Sequence, residues 1–294
     1  MNLSLRAQER LRLTVIYGLC AVVLIWALAP IYWVAVSSIS TRQELYAAPY
    51  KIWFPTQPTL DSYRTIFTTG AKFRSGGFSP TAELMTSGLR NSVIISFGSS
   101  AIVTILATGA GYVFARMNFR GKNLIFLLIM LMLPLPIWVS LIALFFLMSR
   151  LDLIDTLIGL ILIFVTLLLP LSVWMMTTFV RDIPEEIQDA ARVDGADRWR
   201  LLYSIILPLA RPGMVAVFLV AMLWSWNNFL IPLIFSRSND SQPLTIVLTL
   251  FIGQYEVAWE DMSAAAVVTM LPPFLMALFF QRYLVRGLTM GAVK

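Results

Sequence analysis

The chain has 294 residues, 59% of them hydrophobic and only 13% charged, with a mean hydropathy of +0.79. Soluble globular chains carry about 25% charged residues, so this is a polytopic membrane protein, and its net charge of +6 reads as basic cytoplasmic loops rather than a nucleic-acid surface. With no histidine and one cysteine, Cys20 inside an apolar run, the chain can form no internal disulfide, no paired-cysteine metal site and no imidazole acid, base or proton relay.

Residues 1–12 hold Arg6, Arg10 and Arg12 and predict a cytoplasmic N-terminus. The apolar run 13–37 is too long for a signal peptide and lacks a small-residue cleavage site, so it reads as a retained first span. Residues 38–90 are polar and rich in Pro, Gly, Thr and aromatics. A second span is expected over 92–115. Ser96, Ser100, Thr104 and Thr108 repeat every four residues along it, as do Ala107, Gly111 and Ala115, a pattern that lets helices approach closely in lipid. After a short loop at 116–123, the third span runs over 124–148. Pro134 and Pro136 predict a kink or break there, tolerated where neighbours or a cavity satisfy the freed carbonyls. Residues 149–156 form a tight turn, and the fourth span, 157–180, contains Pro170.

The stretch from Asp182 to Gly213 is polar between apolar runs. Asp182 and Glu185 have the spacing of a D-x-x-E capping box, with Pro184 in the first turn where a missing N–H costs nothing. Ile187, Ala190 and Ala191 recur at helical spacing. Gly195 supplies a stop, since glycine enters the left-handed conformation without strain. Asp197 is placed to cap a second helix with Trp199, Leu202, Tyr203 and Ile206 on one face; Pro208 and Pro212 are expected to end it as the chain re-enters the membrane. The reading is a helical hairpin over 182–212 on the membrane surface.

The fifth span is expected over 214–235, with Trp224, Ser225, Trp226, Asn227 and Asn228 at its centre. An acidic loop at 236–261 and a sixth span at 262–280, carrying Pro272 and Pro273, lead to the tail 286–294. Fourteen of the 22 Lys and Arg residues lie in the N-terminus, the 116–123 loop, the hairpin with the adjoining Arg181, and the stretch from 281 to the end of the tail. These parts are therefore cytoplasmic, and 38–90, 149–156 and 236–261 face out.

The hairpin carries a resemblance. Asp189-Ala190-Ala191, three residues, Gly195, nine residues and Ile205-Ile206-Leu207-Pro208 match the E-A-A, G, I-x-L-P loop of permeases of binding-protein-dependent ABC importers, with Asp189 where that family has Glu. Gly111-Tyr112-Val113-Phe114-Ala115-Arg116, followed by Phe119-Arg120-Gly121-Lys122, resembles the end of the second helix in the sugar importers of this class. Trp226-Asn227-Asn228-Phe229 resembles their W-N-x-F. The ending from Arg286 to Lys294 is similar to that of the smaller, G-type permease subunit of maltose transporters.

The resemblance implies an all-α polytopic fold of six transmembrane helices, the type I ABC importer permease fold, with a permease domain over 91–285. It implies a bacterial inner membrane, a second homologous permease, an extracytoplasmic solute-binding protein, a sugar as substrate, and two ATPase subunits that hold the ATP and Mg. It makes Glu186, Asp189, Ala190, Ala191, Asp194, Gly195 and Trp199 the ATPase-coupling residues. Gly287, Thr289, Gly291 and Lys294 become the tail contact with the ATPase, with Gly287 and Gly291 its flexible points. It also makes Trp224, Ser225, Trp226, Asn227 and Asn228 candidate pathway lining, and Gln242, Gln254, Tyr255 and Trp259 candidate binding-protein contacts.

The residues independently point the same way. The single Gly-Lys pair, Gly121-Lys122, is followed by Asn123 and lacks the glycine that a phosphate loop needs five residues upstream, so the chain has no ATP site of its own. Ion-coupled carriers place Asp, Glu, Lys or His inside a span, and all six predicted spans lack them and Arg as well. The energy source is therefore expected on a partner that docks on the hairpin. Ile187, Ala190, Ala191 and Trp199 would offer it apolar contact, and Glu186, Asp189, Arg192 and Asp194 rim charge. A permease for a non-sugar solute such as a polyol phosphate, and an ion-coupled carrier, are the alternatives. No activated nucleophile pair supports an enzyme.

Overall fold

The computed structural model describes residues 5–47, 53–68, 82–252 and 257–289. Its elements, in order, are α1 (Leu5–Ser38), α2 (Arg42–Leu45), α3 (Asp61–Phe67), α4 (Ala82–Arg116), α5 (Lys122–Met130), α6 (Ile137–Arg150), α7 (Leu157–Arg181), α8 (Glu185–Val193), α9 (Arg198–Leu201), a π-helical turn (Leu202–Ile206), α10 (Leu207–Asn227), α11 (Leu230–Phe235), α12 (Leu244–Val247), a 3-10 turn (Leu248–Phe251) and α13 (Trp259–Thr289). Five helical stretches are long and apolar enough to cross a membrane: those within α1, α4, α7, α9–α10 and α13. The third predicted span is the sixth. It is broken into α5 and α6 around residues 131–136, because Pro134 and Pro136 donate no backbone hydrogen bonds there. Among the described residues the only β pairing is an isolated bridge between Ile252 and Val257.

The chain divides into two compact units, residues 1–83 with 248–269, and 84–247 with 270–294. In the first, the described residues that follow α1 are tied together by hydrogen bonds. Thr41 and Glu44 form a reciprocal capping box on α2. The Glu44 carboxylate also accepts from the Thr56 hydroxyl at 2.5 Å and the Thr56 N–H at 2.8 Å, and the hydroxyl bond leads in holding the Glu44 pKa down at about 2. Tyr63 donates to Ser38 Oγ at 2.8 Å, and Tyr46 to the Val257 carbonyl at 3.0 Å.

In the second unit α4, α7 and α10 pack around Val103, Ala107, Ile163, Phe164, Met176 and Val217, all fully buried. Glycines set the approach. A Cβ on Gly111 would come within 2.7 Å of Met176 Cβ and 2.9 Å of the Thr177 backbone nitrogen. The hydroxyl stripe of α4 serves packing: Ser96, Ser100, Thr104 and Thr108 are buried and each donates to the carbonyl four residues back, at 2.6–2.7 Å.

Several boundaries differ from the sequence reading. α4 begins at Ala82, ten residues before the apolar run at 92, because its first turns are polar yet helical. Pro208 and Pro212 do not end the second hairpin helix. The helix runs continuously from Arg198 to Asn227, and the π turn shifts the hydrogen-bond register just before Pro208, which has no N–H to give to Ser204. The fifth span breaks at Asn228, which is extended (φ −76°, ψ 123°) and whose Oδ1 accepts from the Ile231 N–H at 3.0 Å, capping α11. α13 continues through Gly287 to Thr289, so Gly287 is helical rather than a flexible point.

Candidate functional site

The hairpin is built from its turn outward. α8 ends at Asp194, and Gly195 follows with φ +79°. The Ala196 N–H donates to the Ala191 carbonyl at 2.9 Å, and the Gly195 N–H to the Arg192 carbonyl at 3.0 Å. Those two bonds are a Schellman motif, which satisfies helix-end carbonyls only when the residue after the cap is left-handed. Asp197 then caps α9: its Oδ1 accepts from the Arg200 N–H at 2.7 Å.

The start of α8 departs from the expected box. Asp182 is still the helical cap that ends α7, Pro184 occupies the N-cap position, and no side-chain cap bond forms there. Glu185 instead turns to Arg116, the last residue of α4. The Arg116 guanidinium is 5% exposed. Its Nη1 donates to Glu185 Oε1 at 3.0 Å, and its Nη2 to the Val180 carbonyl at 2.8 Å and to the Ile183 carbonyl. The buried Gln188 amide lies 2.7 Å from Arg116 Nε; a guanidinium only donates, which assigns the amide oxygen to that contact as the acceptor. Sequence reading quoted Arg116 within a motif but gave it no role. The one available signal was a basic residue closing an otherwise apolar helix.

The remaining hairpin residues sort into two faces. Ala191 is buried and belongs to the core cluster. Glu186, Asp189, Ala190, Asp194 and Gly195 are exposed, and Asp189 pairs with Arg192 at 3.2 Å. Large apolar side chains are also exposed, among them Ile187, Val193, Trp199 and Tyr203. The last two stack, with ring centroids 6.0 Å apart and planes 17° from parallel. An amphipathic helix with alanine beside uncovered Ile, Val and Trp, rimmed by charge, has the composition of a protein contact face.

The family of binding-protein-dependent transport system inner membrane components matches residues 104–290, a span that includes the whole hairpin. The chain belongs to this family. The permease is similar to the arabinooligosaccharide transport system permease of Halalkalibacterium halodurans, 33% identical, the match covering 83% of this chain and 82% of the relative. It is also similar to the trehalose transport system permease of Mycobacterium tuberculosis, at 31%, covering 92% and 93%. Its fold matches a chain of a bacterial ABC transporter involved in the import of the acidic polysaccharide alginate, with a TM-score of 0.77 at 19% identity, over 96% of this chain and 99% of that one. The permease is thus a multi-pass inner-membrane protein of the type I ABC importer permease fold, a membrane component without an ATP site of its own.

The other predicted site residues separate when placed in the permease. Trp224, Asn227 and Asn228 line an open groove with Val220 and Leu223. Ser225 and Trp226 are buried, and the Ser225 hydroxyl returns to the Ala221 carbonyl at 2.8 Å, so these two face the bundle. Trp224 packs edge-on against Phe164. Gln242 is tied down, its Nε2 donating to the Arg237 carbonyl at 3.2 Å and its own carbonyl accepting from Asn91 Nδ2 at 3.0 Å. Trp259 is exposed in the first turn of α13. Gln254, Tyr255, Gly291 and Lys294 lie outside the described residues, and Thr289 closes α13.

A second unforeseen residue organises the loop after α11. Asp155 has φ +63°, and its Oδ1 accepts from Ser241 Oγ at 2.5 Å and from the backbone N–H groups of Arg237 at 2.7 Å and Ser238 at 2.9 Å. Partial burial opposes its ionisation, but these donors win and lower its pKa to about 2.

Proposed function

We propose that this permease is one of two homologous membrane subunits of an ATP-driven, binding-protein-dependent importer of sugars, with oligosaccharides as the substrate class. It forms half of the translocation pathway. Two ATPase subunits, which hold ATP and Mg, dock on the cytoplasmic hairpin 182–212, and an extracytoplasmic solute-binding protein delivers the sugar. Both termini are cytoplasmic. The observation that carries this reading is the hairpin's outer face: Ile187, Ala190, Val193 and Trp199 exposed on a capped turn, in a chain whose six apolar runs hold no Asp, Glu, Lys or Arg to couple to an ion gradient. The arabinooligosaccharide and trehalose permeases among its relatives support the substrate class.

The test is reconstitution in vesicles of the permease with its partner permease, ATPase subunits and binding protein. Uptake of a labelled oligosaccharide that needs ATP and Mg, and survives collapse of the ion gradients, supports the reading. Uptake that follows the ion gradient without ATP overturns it, and uptake of a polyol phosphate but no sugar overturns the substrate class.

A further inference from the structure

We infer that Arg116 is the positioning residue that fastens the hairpin to the second and fourth spans, so that a push on α8 is delivered to those helices instead of being absorbed in the link at 182–184. The inference rests on the reading of the hairpin as the ATPase contact. It starts from where the acceptors of this one guanidinium lie. The Val180 carbonyl belongs to the last turn of α7, the Ile183 carbonyl to the link, and Glu185 and Gln188 to α8. The donor itself ends α4. Four segments therefore meet on a side chain that is 5% exposed.

A helix C-terminus leaves carbonyls without regular intrahelical partners, and one of those of α7, Val180, accepts here from a cation on a different helix, which also suits the negative end of the α7 dipole. Turning α8 about the link would strip buried carbonyls and a buried amide from a buried charge. That is far more costly than bending a solvated loop.

Two further features make the fastening local to this point. One turn and a half above it, Gly111 allows the α4 backbone to lie directly against Met176 and Thr177, so the ends of α4 and α7 are already in close backbone contact. Arg116 also shares the wall of an open cleft with Tyr112, Asn118, Phe119, Arg192 and Ala196. The guanidinium is where the hairpin's inner face is held. Its shape matters as much as its charge. Five N–H groups in a planar fork reach separate acceptors at once, which the three donors on a lysine ammonium at the end of a flexible stem cannot reproduce. The Glu185 carboxylate is the least of the partners, being 81% exposed and screened by water.

The test uses the complete complex of both permeases, ATPase subunits and binding protein, with wild type, Arg116→Met, Arg116→Lys, Gln188→Leu and Glu185→Gln. Three quantities are read: co-purification of the ATPase subunits, ATP hydrolysis without binding protein, and the stimulation of hydrolysis and uptake by sugar-loaded binding protein. Arg116→Met is expected to keep the ATPase bound and hydrolysing. Its stimulation and its sugar moved per ATP should fall about tenfold or more, since several bonds of a charged group are lost together. Arg116→Lys should recover part of that loss. Gln188→Leu should lower the same ratio about fivefold, one bond's worth, and Glu185→Gln should stay near wild type. Full stimulation and full sugar per ATP in Arg116→Met overturn the inference. So does a variant that assembles poorly while its assembled fraction couples normally, because Arg116 would then be structural only. If Arg116→Met does not assemble at all, Gln188→Leu decides, and wild-type coupling there overturns the inference. Failure of the wild-type complex to couple ATP to uptake would instead sink the functional reading on which this rests.

Discussion

Replacing Gly195 tests the hairpin most directly, because its surroundings isolate one physical cause. A Cβ on Gly195 meets nothing within 4 Å, so a methyl group there clashes with no other part of the described chain. The cost is backbone conformation alone: at φ +79° an L side chain is disfavoured by about 1–2 kcal/mol. The chain can escape that strain only by rotating φ to negative values, which breaks both Schellman bonds, each worth about 1 kcal/mol net. Either route costs a few kcal/mol at most and is confined to the turn, while the contacts among α4, α7 and α10 are untouched. Gly195→Val, β-branched and least tolerant of positive φ, is therefore expected to insert and pair with its partner permease. It should re-aim α8 relative to α9, so ATPase co-purification and stimulated ATPase activity fall. Gly195→Ala should lose less, and Gly195→Asn least, since Asn tolerates the left-handed region. Asp189→Ala, which removes an exposed pair with Arg192 worth about 0–1 kcal/mol, serves as the comparison. Wild-type ATPase binding and stimulation in Gly195→Val would refute the chain of reasoning from turn geometry to docking.

Gly111→Ala forces a Cβ to 2.7–2.9 Å from Met176 and Thr177; overpacking of this kind costs about 1–3 kcal/mol, and the purified permease should unfold at lower temperature in detergent, with larger residues worse. Asp155 has a folded pKa of about 2, below its ordinary 3.8, so its bonds stabilise the loop at and above about pH 4 and are lost as pH falls through 2. Protection of the Arg237 and Ser238 amides from hydrogen exchange should therefore stay level from pH 5 to 8 in wild type and drop in Asp155→Ala at all those values; equal protection in both would remove Asp155 as the organiser. Single cysteines at the exposed positions Gln57 and Asp240, with Cys20 replaced, should react with an impermeant reagent in intact cells, and reaction only after lysis would reverse the proposed orientation.

What the sequence made legible was short-range. Gly195 as the left-handed turn and Asp197 as the cap both follow from residues two to five apart, and the structure forms both. Apolar runs located the spans, and two prolines close together in 131–136 marked the broken one. Misreadings arose where a local pattern met a tertiary competitor. Asp182 and Glu185 have capping-box spacing, but α7 has not yet ended at Asp182, and Glu185 is claimed by a guanidinium 69 residues away. Pro208 and Pro212 look like stops, yet the π turn admits the first of them and the helix continues. Asn228 reads as one more polar residue in a span. Its role as a break depends on Thr245, which donates to its carbonyl at 3.2 Å from the following loop. Arg116 and Asp155 were invisible for the same reason: their partners lie 64–72 and 82–86 residues away, and spacing rules carry no information at that range.

The two ends of the hairpin are built differently, and the difference bears on what each can transmit. On the entry side, α7 passes into α8 through a link pinned by a buried guanidinium and backed by a glycine contact with no room for a methyl group. On the exit side, α9 passes into α10 through five residues of π helix followed at once by a proline, where the regular ladder of backbone bonds is interrupted twice within seven positions. A helix bends where its ladder is interrupted, and resists bending where side chains from two helices share buried partners. The fifth span thus has a softer joint at its hairpin end and a break at Asn228, with a regular stretch between them that carries Trp224 and Asn227. Displacement of the hairpin would reach the second and fourth spans as rigid motion and the fifth as a tilt about the π turn. The groove at Trp224 and Asn227 lies on the helix able to turn, which is where a pathway that opens and closes needs its movable wall.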